Sequence, residues 1–130
     1  MSLGSLVAST KHPRTLTLIR GDMRAFEILF FNEQEKPEDI DGATEASFAF
    51  TEEIGVTPVF LRTTAGSYIS IDTSNSKLVI TYVDQAESDA LVPGIYIGGA
   101  ALHFPDTSII TKTELFHVVV LESPAPDPTT

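Results

Sequence analysis

The feature that most constrains what this chain can fold into is a period of two. Between Arg24 and Phe31 (RAFEILFF), Phe26, Ile28 and Phe30 fall on one face, and Ala25, Glu27, Leu29 and Phe31 on the other. Alternation rich in aromatic and branched residues fits a pleated strand, whose successive side chains point to opposite faces. It does not fit the 3.6-residue period of a helix. Similar runs recur at Thr15–Ile19, Glu45–Phe50, Val59–Arg62, Tyr68–Asp72, Lys77–Val83, Ile95–Phe104 and Ile109–Leu121. Turn residues separate them, as in Arg20-Gly21-Asp22, Asp41-Gly42, Ala65-Gly66-Ser67, Ser74-Asn75-Ser76, Pro93-Gly94 and Pro105-Asp106-Thr107. Only Asp84–Leu91 (DQAESDAL) has room for a helix, of one or two turns. About eight short strands with tight turns predict an all-β, immunoglobulin-like antiparallel sandwich with one short helical turn. The Cys pair and Trp of antibody domains are absent, so this likeness is architectural. The alternation selects Phe26, Ile28, Phe30, Phe48, Phe50, Ile69, Ile71, Leu78, Ile80, Tyr96, Phe116 and Val118 for the core, with the two faces interchangeable on strands that are apolar on both.

A length of 130 residues argues for one domain. An apolar fraction of 42% suffices for a real core, since a chain of this size buries roughly two-thirds of its unfolded surface. The sandwich is expected over residues 15–121, after a flexible N-terminus at 1–14. Residues 122–130 (ESPAPDPTT), with three prolines and no apolar pattern, read as a disordered tail. Acids number 18 against 8 bases, for a net charge of −10. That balance argues against nucleic acid and against an anionic membrane as partners, because both need clustered Lys and Arg. The lack of Cys removes disulfides, thiolate metal sites and Cys nucleophiles. No apolar run approaches the ~18 residues of a membrane span. The first nine residues lack the early positive charge and long apolar stretch of a signal peptide, so the expectation is a soluble chain without a cleaved export signal.

Motifs that suggest chemistry have structural readings. Arg20-Gly21-Asp22 matches the adhesion tripeptide but stands where a turn is needed. Asp39-Ile40-Asp41-Gly42 resembles the opening of a calcium loop, yet its fifth and twelfth positions are Ala43 and Phe50, which offer no side-chain oxygen. The acidic stretch Glu33–Glu53 reads as a solvated loop, with a surface for a basic partner as the functional alternative. His12, His103 and His117 lack zinc-ligand spacing; His103 and His117 lie on the last two long strands, where a hairpin could make them neighbours. Gly98-Gly99 interrupts a strand and reads as a bulge or bend, without the strand–loop–helix setting of a phosphate cradle. No Gly-x-Ser-x-Gly motif occurs, and no spacing singles out a carboxylate pair. No catalytic residue, metal or cofactor is therefore expected, and no enzymatic activity.

A larger order is visible once the strands are laid out. A strand is followed by Arg20-Gly21-Asp22, an alternating strand through Phe30, and Pro37-Glu38-Asp39-Ile40-Asp41-Gly42-Ala43-Thr44 leading into Glu45–Phe50. Lys77–Thr81 then precedes Asp84, and Leu91-Val92-Pro93-Gly94-Ile95-Tyr96 opens a long final hairpin. This order resembles the immunoglobulin-like domain of phage tail and baseplate proteins, notably the N-terminal domain of upper baseplate proteins. The family's usual glycine in the last hairpin is replaced by Pro105-Asp106. The resemblance implies a structural and docking module, so no catalytic or metal residues carry over.

The expected function is that of a non-enzymatic phage or prophage structural protein, localised to the virion tail or baseplate after assembly in the bacterial cytoplasm. Its expected partners are itself, other virion tail proteins, or both. Ile95–Phe104 has no charged residue and Ile109–Leu121 is nearly as apolar, more apolar surface than one inward face can use. The candidate interface is therefore Ile95, Tyr96, Ile97, His103, Phe104, His117 and Val119. The rival reading is a carbohydrate- or surface-binding sandwich module, disfavoured by the absence of Trp and the presence of only three Tyr; a hydrolytic or metal enzyme ranks below both.

Overall fold

The computed structural model describes residues 6–9, 15–32, 34, 36–126 and 128. The strands are β1 (Leu6–Ser9), β2 (Leu16–Ile19), β3 (Phe26–Phe31), β4 (Glu45–Thr51), β5 (Phe60–Thr63), β6 (Ile69–Asp72), β7 (Lys77–Ile80), β8 (Gly94–Phe104), β9 (Ile109–Lys112) and β10 (Phe116–Leu121). One helix, α1 (Gln85–Asp89), falls inside the segment expected to hold it. The Asp84 carboxylate caps it by accepting from the Glu87 N–H at 2.9 Å.

The strands form two sheets. The first has the order β1-β3-β7-β6; the second has the order β2-β10-β8-β4-β5, with β9 also on β8. The N-terminal segment divides between them, β1 running parallel to β3 and β2 parallel to β10. Strand β1 lies inside the segment 1–14 that was expected to be flexible. A four-residue run carries little alternation signal, and its strand state comes from pairing with the open edge of β3, Leu6 to Ile28 through Ser9 to Phe31. The other N-terminal residues, His12 among them, lie outside the described residues.

Two local expectations also change. The run Ile109–Leu121 is two strands rather than one. Phe116 pairs with Gly98 and Lys112 with Ala101, so Thr113, Glu114 and Leu115 face only Gly99 and Ala100. The extra residue is a bulge. Thr113 accommodates it by accepting the Ala100 N–H on its hydroxyl at 3.1 Å and donating its own N–H to the Ala100 carbonyl at 2.9 Å. The bulge expected at Gly98-Gly99 is thus on the facing strand, and β8 itself runs in unbroken register against β4.

The core lies between the sheets. All the residues selected by alternation are buried except Ile69 and Ile71, which are half-buried against it. Leu16, Leu18, Ile40, Phe60, Tyr82, Leu102 and Val120 join it, with the smaller Ala43, Ala46 and Ala100 and with Leu91. Aromatic rings dominate: Phe48 touches Phe26, Phe50, Phe60 and Phe116 with centroids 5.7–6.3 Å apart. Such pairs contribute about 0.5–1.5 kcal/mol each beyond their buried area. This packing sets which face of each strand is outside. With Phe48, Phe50, Tyr96, Leu102, Phe116 and Val118 turned inward, the period of two leaves every odd-numbered residue of β4, β8 and β10 on the outer face of the second sheet.

Candidate interaction surface

That outer face is the candidate site. Across its centre Ala49 pairs with Gly99, Ser47 with Ala101, and Leu61 of β5 with Ala49. Toward one end Ile97 lies between His117 and Thr51, and Ile95 beside Val119. Toward the other, His103 lies between Glu45 and Ile110 of β9. Apolar side chains stand out from it: Ile95 is 71% exposed, Ile110 62%, Leu61 54% and Leu121 47%. Of the acids, Glu45 alone belongs to a strand of this sheet, and it accepts a 2.7 Å hydrogen bond from His103 Nδ1. Beside that pair is a shallow hollow of about 210 Å³ lined by Ser47, Thr63, Ala101, His103 and Ile110.

The structure sorts the expected interface residues by parity. Ile95, Ile97, His103, His117 and Val119 share the outer face. Tyr96 does not. The residue is 7% exposed, and its hydroxyl donates to the Val92 carbonyl at 2.5 Å, tying the start of β8 to the chain before it. Burial, with the charge of Glu52, raises its phenol above the usual tyrosine value. Phe104 also has inward parity and rests half-buried on the core. His103 and His117 are not neighbours: they stand at opposite ends of β8, against Ile110 and Ile97. Leu61, Ala49, Ser47 and Ile110 were missed. The signal for Ser47 and Ala49 was present, since inward Phe48 and Phe50 require them outward.

The tripeptide Arg20-Gly21-Asp22 is a turn, closed by the Asp22 N–H on the Ile19 carbonyl at 3.1 Å, with Gly21 at a φ of 85° that L side chains rarely adopt. It is also pinned to α1. Arg20 Nε donates to the Asp89 carbonyl at 2.7 Å, Gln85 Nε2 to the Gly21 carbonyl at 2.7 Å, and Ser88 Oγ to the Asp22 carbonyl at 2.8 Å. Hydrogen bonds from Arg24 hold the Asp22 carboxyl below the usual aspartate value. The Asp39–Gly42 segment is likewise a turn: Asp39 Oδ1 accepts from the Asp41 N–H at 2.9 Å, and Ile40 is buried. Arg62 of β5 is buried, its guanidinium 4.4 Å from the Phe60 centroid and ion-paired with Glu87. Among the described residues, no three His, Cys, Asp or Glu gather at one point, and no helix is long and apolar enough to cross a membrane.

Two sheets packed around an aromatic core, with the first strand region divided between them, define an immunoglobulin-like β-sandwich. No family model and no curated protein matches the sequence. Among solved structures, the chain is similar to the N-terminal domain of phage TP901-1 ORF48, with 15% identity, 90% of this chain and 96% of that chain covered, and a TM-score of 0.56. It is more loosely similar to the NK cell receptor Nkp44, with 15% identity, 85% and 99% covered, and a TM-score of 0.41. For CopC from Methylosinus trichosporium OB3b the identity is 12%, with 63% and 67% covered and a TM-score of 0.38.

Proposed function

We propose that the protein is a phage or prophage structural module of the tail or baseplate type, acting through protein–protein contacts rather than through chemistry. The observation that carries this reading is the end-to-end likeness to a phage domain, which covers 96% of that domain's chain. It agrees with the ordered motifs from Arg20-Gly21-Asp22 to the Pro93-Gly94 turn. The outer face of the β2-β10-β8-β4-β5 sheet, where Glu45 and Lys112 are the charged strand residues, supplies a surface for such contacts, and its apolar residues are spread over five strands rather than scattered singly. The test is to tag the chain in its source phage or induced prophage and ask whether purified particles contain it. Incorporation in fixed ratio to tail proteins, lost in an Ile97→Glu variant that still folds, is the expected result. Particles assembled at normal yield without the chain would overturn the reading.

A further inference from the structure

We infer that the outer face of the β2-β10-β8-β4-β5 sheet pairs with a second copy of itself, about a two-fold axis that lies in the interface plane, perpendicular to β8, and passes over Gly99. This rests on the reading of that face as an assembly surface and names its occupant. Three observations carry it.

The first is charge. The chain has a net charge of −10, but its six strands in this sheet hold one acid, Glu45, already engaged with His103. A basic partner would find little here to pair with. A second copy brings one acid and one outward base, Lys112, from these strands to the contact, and the exposed acids outside the strands are open to screening by salt.

The second is area. Five strands at ~4.8 Å spacing span roughly 24 Å, and central strands of six to eleven residues run about 20–37 Å. The face therefore offers about 600 Å² per copy, and two copies bury about 1,200 Å², the lower bound for a stable specific interface.

The third is register. Ile95 and His103 each lie four residues from Gly99, roughly 14 Å to either side. The two-fold sets β8 antiparallel on its counterpart, so the protruding Ile95 of each copy falls over the hollow beside Ala101 and His103 of the other. Strands β9 and β10 share one flank of β8. The same rotation therefore lays Val119, level with Ile95, over the other copy's Ile110, level with His103. At the axis Gly99, Ala49 and the exposed Leu61 meet their own counterparts, and the space above Gly99 is open. A knob at one end and a hollow at the other, equidistant from the axis, make the surface complementary to itself.

Sedimentation velocity over a wide concentration range tests this. The wild type should form a dimer that tightens with added salt. Gly99→Glu, whose new side chain finds no atom of its own chain in the way, should keep the melting curve. Two carboxylates at the axis should weaken the dimer by about 100-fold or more. Ser70→Glu, exposed on the other sheet, should leave association unchanged. Since the chain has no Cys, Gly99→Cys with a short bismaleimide should give covalent dimers, and Ser70→Cys should not. A dimer insensitive to Gly99→Glu overturns the inference. So does a wild type that stays monomeric at high concentration and salt. In that case, incorporation into particles through this face would keep the proposed function, and failure of both would remove it too.

Discussion

Two adjacent glycines on β8 should respond oppositely to the same added methyl group. In Gly98→Ala, the new Cβ would lie 2.4 Å from Phe116 Cε2 and 2.7 Å from Val118 Cγ2. Carbon atoms rest about 3.5–4.0 Å apart, so the Phe116 ring must retreat by roughly 1 Å. It has little room, being buried and stacked on Phe48 at 6.3 Å and 9°. Overpacking of this kind costs about 1–3 kcal/mol. Removing glycine's backbone freedom in a strand offsets about 0.5–1 kcal/mol. The net loss should be about 1–2 kcal/mol, which lowers Tm by roughly 4–10 °C in a domain of this size. Gly99→Ala places its methyl group in open space and should gain about 0.5 kcal/mol. Urea titration followed by far-UV circular dichroism suits a chain without Trp, at concentrations low enough to keep the monomer. If the two midpoints coincide, or Gly99→Ala is the less stable, the reasoning from close approach is wrong.

Glu87→Ala leaves the buried Arg62 without its carboxylate and frees the Val83 N–H that Glu87 Oε1 accepts at 2.9 Å. Thermal melts should show a loss of about 1.5–3 kcal/mol, the range for a charge-assisted hydrogen bond. At alkaline pH, burial first, then the charges of Asp22 and Glu87, push the Tyr82 phenol from 10.0 up to about 12. The folded state then holds this proton longer than the unfolded chain. Stability should be intact below pH 10 and fall by about 2–3 kcal/mol as pH rises toward 12. Denaturant midpoints across that window should flatten in Tyr82→Phe.

Much of this molecule is legible in the chain because strand chemistry is local. A residue's parity against Phe26 or Phe48 already says which side it takes, and the Asp84 cap and the Gly21 turn need only their near neighbours. What is not local was not legible. The strand at Leu6–Ser9 exists because β3 has an open edge. The break at Thr113–Leu115 is set by where β9 and β10 each pair with the same flank of β8.

The same division runs through the candidate surface. Ile95, Ile97, His103, His117 and Val119 were identifiable from the surplus of apolar residues in the last two long runs. Tyr96 and Phe104 belong to those runs too, and composition cannot separate them from their neighbours; parity against a packed core does. Sequence alone determined the class of fold, the positions of the turns and the excess of apolar surface, because each follows from a side chain and its neighbours. Only the tertiary structure decided which sheet carries that excess, that Leu61 and Ile110 extend it, and that a knob and a hollow stand equidistant from Gly99. Those depend on which strands lie side by side, and pairing between distant segments is set by the packing of the whole core.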